Sequence, residues 1–249
     1  MLHAGEPVAR DTLIDALWEE RPPPTVATAL NGYVLQLRKV LEPGRRTGDA
    51  PSVLVTREPG YVLLAAPEQI DAERFRRLAA DGRARLDGGD PGEAAPLLRE
   101  ALALWRGPAL ADLSGESFAA AYGARLDGER AAALEDRIDA DLELGRHAAV
   151  VGELEALVVA EPLRERPRAQ LMLALYRCGR QAESLAAYRA ARRTLVEEIG
   201  IEPGSELRDL ERRVLAQDPA LELGRPVRVR PGPGQTRPRR RWVLAAGVL

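Results

Sequence analysis

The sequence predicts a mostly α chain in two folded parts: an incomplete winged helix-turn-helix with a β-hairpin wing, then an all-α domain of tetratricopeptide-like helical repeats. Three observations carry this. Residues 11–61 read in order as helix, turn, helix and hairpin. From Asp71 strand signals vanish, and apolar residues recur at helical spacing to about Leu215. Within that stretch Gly145-Arg146-His147-Ala148 and Gly179-Arg180-Gln181-Ala182 lie 34 residues apart, each at the turn of a predicted helical hairpin. That spacing is the tetratricopeptide period.

The first helix carries Leu13, Ile14, Leu17 and Trp18 as its buried side, with Asp11 in its first turn. Pro22, Pro23 and Pro24 stop it, because proline and the residue before it disfavour helical backbone. Thr25 is placed to N-cap the second helix. There Leu30, Val34, Leu37 and Leu41 recur at i, i+4, i+7 and i+11, forming one apolar face. The opposite face holds Thr28, Asn31, Gly32, Leu35 and Lys39, with Gln36 and Arg38 on its flanks. Small and polar side chains suit base edges, and cations suit phosphates. Leu35 either touches a thymine methyl or packs on the wing. Val53 to Val55 and Tyr61 to Leu64 are β-rich, and Arg57-Glu58-Pro59-Gly60 turns between them. Arg57 is therefore expected at the wing tip, at a phosphate or in a minor groove.

A helix held from behind by another and followed by a wing is a device for placing one helix in a DNA groove. Charge supports this by position rather than by sum. Residues 1–66 hold seven Arg/Lys against eight Asp/Glu, but Arg38 to Arg57 contains five cations and two anions. The acids Asp11, Asp15, Glu19 and Glu20 are expected on the supporting helix. A basic stripe on one side is enough for a phosphate footprint.

The helical domain, residues 71–219, has a third, diverged turn at Gly89-Asp90-Pro91-Gly92-Glu93-Ala94. Its aromatics Phe75, Trp105, Phe118, Tyr122, Tyr176 and Tyr188 fall at core spacings. The acids Glu135, Asp136, Asp139 and Asp141 are expected on a solvated helix face. No catalytic pattern emerges, so no enzyme, cofactor or metal site is predicted. His3 and His147 are the only histidines, far apart in sequence. Lys39 is the only Lys and follows no Gly-rich loop. No Ser sits in a G-x-S-x-G elbow. Cys178 is alone, which rules out an internal disulfide and fits packing between helices.

Residues 224–241 contain seven Arg, four Pro and no acid, the composition of a disordered linker. Residues 242–249 are wholly apolar, and eight residues are too few to cross a bilayer. An Arg cluster, a Trp and an apolar run together read as the flank and first turns of a membrane helix, hence a membrane tether; the alternative is an apolar tail. The Arg cluster also offers non-specific DNA affinity.

The run LIDALW, then TAxxALxGYVxxLRxxLEP, then VTRxPGYxL resembles the OmpR-type winged helix of the Streptomyces antibiotic regulatory proteins. The chain from DAERFRRL to RRVLAQDP resembles the bacterial transcriptional activator domain that accompanies it. The likeness covers roughly residues 2–219. It implies DNA contacts at Thr28, Asn31, Leu35, Gln36, Arg38 and Arg57. It also implies double-stranded promoter DNA and RNA polymerase as partners, a homo-oligomer on DNA, and a cytoplasmic activator of biosynthetic genes. Relatives often carry Arg in place of Gln36 and a polar residue in place of Leu35. Met1 to Gly5 matches the end of the family's first helix, so a truncated N-terminus is expected, with Leu13, Leu17, Leu30 and Val34 partly uncovered. At about 1.5–3 kcal/mol per uncovered side chain, such a loss is comparable to a small domain's stability. The rival expectation is a protein-interaction scaffold whose residues 1–66 bind no DNA.

Overall fold

The computed structural model describes residues 3–19, 21–46, 48–113 and 115–222. The N-terminal part contains β1 (Pro7–Ala9), α1 (Arg10–Trp18), α2 (Val26–Leu41), β2 (Leu54–Arg57) and β3 (Gly60–Leu63). The hairpin predicted from sequence is β2–β3. A third strand joins it, giving an antiparallel sheet in the order β1-β3-β2. β1 escapes a sequence reading because three residues show no alternation; its pairing of Val8 with Tyr61 is what makes it a strand. Gly60 permits that pairing, since a Cβ there would lie 1.8 Å from the Val8 carbonyl oxygen.

Leu30, Val34 and Tyr61 are buried together, with Leu13, Ile14, Trp18 and Leu54 packed around them. Trp18 stacks on Tyr33 at 5.9 Å between ring centroids. The predicted apolar faces are only half covered. Leu30 and Val34 are buried, whereas Leu17, Leu37 and Leu41 are exposed, as is Val40. α1 is short, nine residues or about 14 Å, and packs on Leu30 and Val34; β2 and the residues before it meet the end of α2 at Arg38 and Glu42, and Leu37, Val40 and Leu41 stay uncovered. Thr25 sits at the N-cap of α2, but its hydroxyl caps nothing. Its backbone, at φ −100° and ψ 20°, is not the extended form that aims a capping oxygen at the first amides. α1 ends before the three prolines, at Trp18, where Glu19 takes φ 50°.

The rest is helical: α3 (Asp71–Asp87), α4 (Pro91–Ala103), α5 (Ser117–Glu143), α6 (His147–Ala160), α7 (Glu165–Arg177), α8 (Gln181–Ile199) and α9 (Ser205–Leu215). α3/α4, α5/α6 and α7/α8 form hairpins, and α9 packs on α7 and α8. All three expected turns close in the same way. Gly89, Gly145 and Gly179 take φ of 81°, 78° and 78°. The next residue's amide then reaches back, Asp90 to the Arg85 carbonyl, Arg146 to Asp141 and Arg180 to Leu175, each at 2.9 Å. This is the Schellman closure, which needs a left-handed residue and favours glycine. The diverged turn at Gly89 closes with the same geometry as the other two.

Of the aromatics expected in the core, Phe75 and Tyr188 are buried and Trp105, Tyr122 and Tyr176 are half-buried. Trp105 meets Phe75 edge-on at 5.3 Å. Phe118, in the first turn of α5, is exposed, whereas its neighbour Ala119 in the same turn is buried. Cys178 is half-buried beside the core between α5, α6 and α7, as expected. No helix among the described residues is long and apolar enough to cross a membrane. The expectations for residues 224–241 and 242–249 lie outside the described residues.

The acids of α5 correct the sequence reading most sharply. Glu135, Asp136 and Asp141 are buried, at 4%, 6% and 3% exposure. Asp141 accepts from Arg146 at 2.8 Å, from Arg137 at 3.0 Å and from Arg99. Asp136 meets Arg83 at 2.7 Å and Arg166 at 2.5 Å. Glu135 meets Arg164 at 2.8 Å, and Asp139 meets Arg166 at 2.6 Å. Periodicity within α5 cannot reveal this, because apart from Arg137 the guanidiniums come from α3, α4, α7 and two connecting turns. Burial works against the Asp141 carboxylate, but hydrogen bonds from Arg146, Arg137 and Arg99 outweigh it and lower its pKa. At Glu135 burial prevails over Arg164 and Arg166, and the pKa rises.

Asp141→Asn should cost about 1.5–3 kcal/mol of unfolding free energy in denaturant titration, since it weakens the charged acceptor that Arg99, Arg137 and Arg146 share, while Arg137 keeps Glu153. The Asp141 contribution is complete above the unfolded carboxyl value near ~4. It is lost as pH falls through the lower folded value, so the variant and parent stabilities should converge in acid. Gly60→Ala should release β1, and exchange of the Gly5 amide, which donates to the Leu63 carbonyl at 2.9 Å, should accelerate. Unchanged protection would show that β1 tolerates the methyl.

Candidate nucleic-acid interface

Successive residues of α2 turn by about 100° each. Asn31, Leu35, Thr28, Lys39 and Gly32 therefore fall on one side, away from the buried Leu30 and Val34. All five are exposed, as are Gln36 and Arg57. Arg57 pairs with Gly60 at the hairpin end, at the wing tip as expected, and makes no ion pair among the described residues. Leu35 is 49% exposed, so it is available to a groove and is not packed into the wing.

Two of the predicted contacts already have partners within the protein. The Arg38 guanidinium donates through Nε to the Leu54 carbonyl at 2.8 Å and through NH2 to the Thr56 hydroxyl at 2.9 Å. It also lies 6.0 Å from the Tyr61 ring centroid, with Arg10 at 5.5 Å. The Tyr61 hydroxyl donates to Asn31 Oδ1 at 2.9 Å. Asn31 keeps its NH2 donors, and Arg38 keeps one terminal nitrogen. Both residues thus tie the α2 helix to the wing as well as facing outward.

Glu42, just past α2, is a member of the site that the sequence reading missed. Its Oε1 accepts from the Ser52 amide and hydroxyl at 2.6 Å each and from the Val53 amide at 2.8 Å. Hydrogen bonds from Ser52, chiefly its hydroxyl, hold the Glu42 carboxyl below its ordinary pKa. Ten residues separate these partners and no local motif signals them. Asn31 near the middle of α2, Arg38 in its last turn and Glu42 just past its end bond respectively to β3, to β2 and to the residues leading into β2. The exposed α2 residues not involved in this bracing, Thr28, Leu35, Gln36 and Lys39, with Arg57 at the wing tip, present polar, apolar and cationic groups suited to bases and phosphates.

The chain is similar to known proteins along nearly its whole described length. Residues 70–215 match the bacterial transcriptional activator domain. Residues 1–63 match the C-terminal domain of transcriptional regulatory proteins. The regulatory protein AfsR of Streptomyces coelicolor is 44% identical over 222 residues, covering 89% of this chain and 22% of AfsR. The regulatory protein DnrI of Streptomyces peucetius is 39% identical over 228 residues, covering 90% of this chain and 84% of DnrI. A structure of Mycobacterium tuberculosis EmbR in complex with a low-affinity phosphopeptide superposes with a TM-score of 0.81 at 37% identity, covering 87% of this chain and 57% of that one. The chain thus spans about a fifth of AfsR and just over half of EmbR. With an OmpR-type winged helix ahead of a bacterial transcriptional activator domain, this chain belongs to the Streptomyces antibiotic regulatory protein family.

Proposed function

We propose that this chain is a sequence-specific DNA-binding transcriptional regulator, an activator of biosynthetic genes. The observation that carries this is an exposed α2 face braced at three points to a wing whose tip presents Arg57. Bracing removes the entropy that a loose helix would lose on docking, so contacts to DNA are not offset by ordering the protein. In this reading α2 enters the major groove of promoter DNA, and Arg57 reaches the adjoining phosphates or minor groove. Thr28, Asn31, Leu35 and Gln36 set preference. Lys39 and Arg57 set affinity, and Arg38 does so partly by holding the wing. The helical domain orients the winged helix, pairs protomers on DNA and receives RNA polymerase. The site of action is the cytoplasm, where the promoter is.

One observation favours a second reading, a protein-interaction scaffold. Leu17 on α1 and Leu37, Val40 and Leu41 on α2 are uncovered large apolar side chains. Selection of bound sequences from a random duplex library separates the two: enrichment of a common site supports the regulator, and its absence the scaffold.

On an enriched duplex, Lys39→Ala and Arg57→Ala should each weaken binding to all sequences and reduce the salt slope by about 1. Gln36→Ala should instead relax preference at one position by about 1–3 kcal/mol. Arg38→Ala should also weaken all sequences. Because it frees the wing, its effect should add to that of Arg57→Ala by less than the sum. A change in preference alone from Arg38→Ala would remove its assigned role.

A further inference from the structure

Arg10 opens α1. Its amide donates to the Pro59 carbonyl, in the turn of the wing, at 3.3 Å. The sheet register agrees with that contact: Ala9 on β1 and Arg57 on β2 both stand opposite Gly60 on β3. The backbones of Ala9 and Arg57 are thus two strand spacings apart, about 10 Å, on either side of the wing turn.

The next residue of β3 shows which way Arg10 is turned. Tyr61 pairs with Thr56, whose hydroxyl accepts from Arg38 of α2, so this row of side chains faces α2. The Arg10 guanidinium lies over the Tyr61 ring, 5.5 Å from its centre. Arg38 lies over the same ring at 6.0 Å. The Tyr61 hydroxyl ends on Asn31, on the outer side of α2. Two guanidiniums therefore share one ring in the crease between helix and wing.

They differ in the donors they have left. Arg38 commits Nε to the Leu54 carbonyl and a terminal nitrogen to Thr56. Arg10 is exposed, and its guanidinium makes no hydrogen bond or ion pair among the described residues, not even with its neighbour Asp11. Contact with the face of a ring holds a guanidinium in place without using its N–H groups.

One sugar-phosphate strand divides the major groove of a duplex from the adjoining minor groove. With α2 in the first and Arg57 at the second, that strand must cross the crease between helix and wing. We propose that Arg10 binds a phosphate of this strand. The proposal rests on the DNA-binding reading and adds to it a contact from the supporting helix. Tyr61 is the positioning residue: its ring holds Arg10 and its hydroxyl holds Asn31. One side chain thereby sets the phosphate contact and a base-reading residue in register.

The test uses the full chain and a duplex enriched by selection. Arg10→Gln should lower the salt slope by about 1, so that from about 50 to 200 mM salt it loses about 3.5-fold less affinity than the parent. Arg10→Lys keeps the charge and should keep the slope. Phosphates are also neutralised one at a time as methylphosphonates. One position should weaken the parent and leave Arg10→Gln unchanged. Tyr61→Phe keeps the ring, so it should keep the slope and that position, and relax preference only at the base pair that Asn31 reads. A parent that binds no duplex would overturn the DNA-binding reading and this proposal with it. A parent that binds, beside an Arg10→Gln variant with the parent's slope and the parent's methylphosphonate pattern, overturns this proposal alone. Weaker binding at an unchanged slope would likewise overturn it and leave Arg10 as packing on Tyr61. A lost slope in Tyr61→Phe would overturn the role given to the ring.

Discussion

The helical domain depends on the carboxylates that α5 turns inward. A buried ionised carboxylate is costly unless charge and hydrogen bonds surround it. Here Glu135, Asp136 and Asp141 are met by arginines from α3, α4, α7 and the turns before α6 and α7. Each guanidinium must arrive at one height along α5. A hairpin that slid by a turn would lose its partner and leave a charge stranded on both sides. The apolar packing of Leu98, Ile138, Leu154 and Met172, all fully buried, supplies the drive to collapse. Apolar contacts are forgiving about register; the ion pairs are not. This division fits a repeat array, in which each hairpin touches only its neighbours and needs a local means of fixing its place.

The N-terminal part solves a different problem with fewer atoms. Its buried cluster is small, and one side of α2 is uncovered beyond Val34. Apolar contact alone would hold α2 loosely. Arg38, Asn31 and Glu42 make up for this by hydrogen-bonding across to the wing. The same residues that face outward toward a duplex thereby set the distance between helix and wing tip. Recognition and folding share side chains here, so substitutions at Asn31 or Arg38 act on both.

Sequence patterning was enough for the order of elements, the hairpin, the three glycine turns and the outward face of α2. These depend on local causes: helical and strand periodicity, the proline stop, and the need for a left-handed residue at Gly89, Gly145 and Gly179. The resemblance to a known family supplied the domain names and the DNA-contact positions. Less was visible where the cause was remote. β1 exists because β3 offers it an edge and Gly60 offers it room. Glu42 carries no local signal, because its partner Ser52 lies ten residues further along the chain.

The sequence by itself determined which residues would be helical, where the hairpins would turn and which face of α2 would stay polar, because each is decided within a few residues of chain. Only the tertiary structure decided that the acids of α5 are interior, that Arg38 is shared between wing and surface, and that Leu37 and Leu41 are uncovered. Burial belongs to what lies opposite a side chain. The partners of Arg38 lie 16 and 18 positions away and most partners of the α5 acids 27 to 53 positions away, and no pattern along a single helix records them.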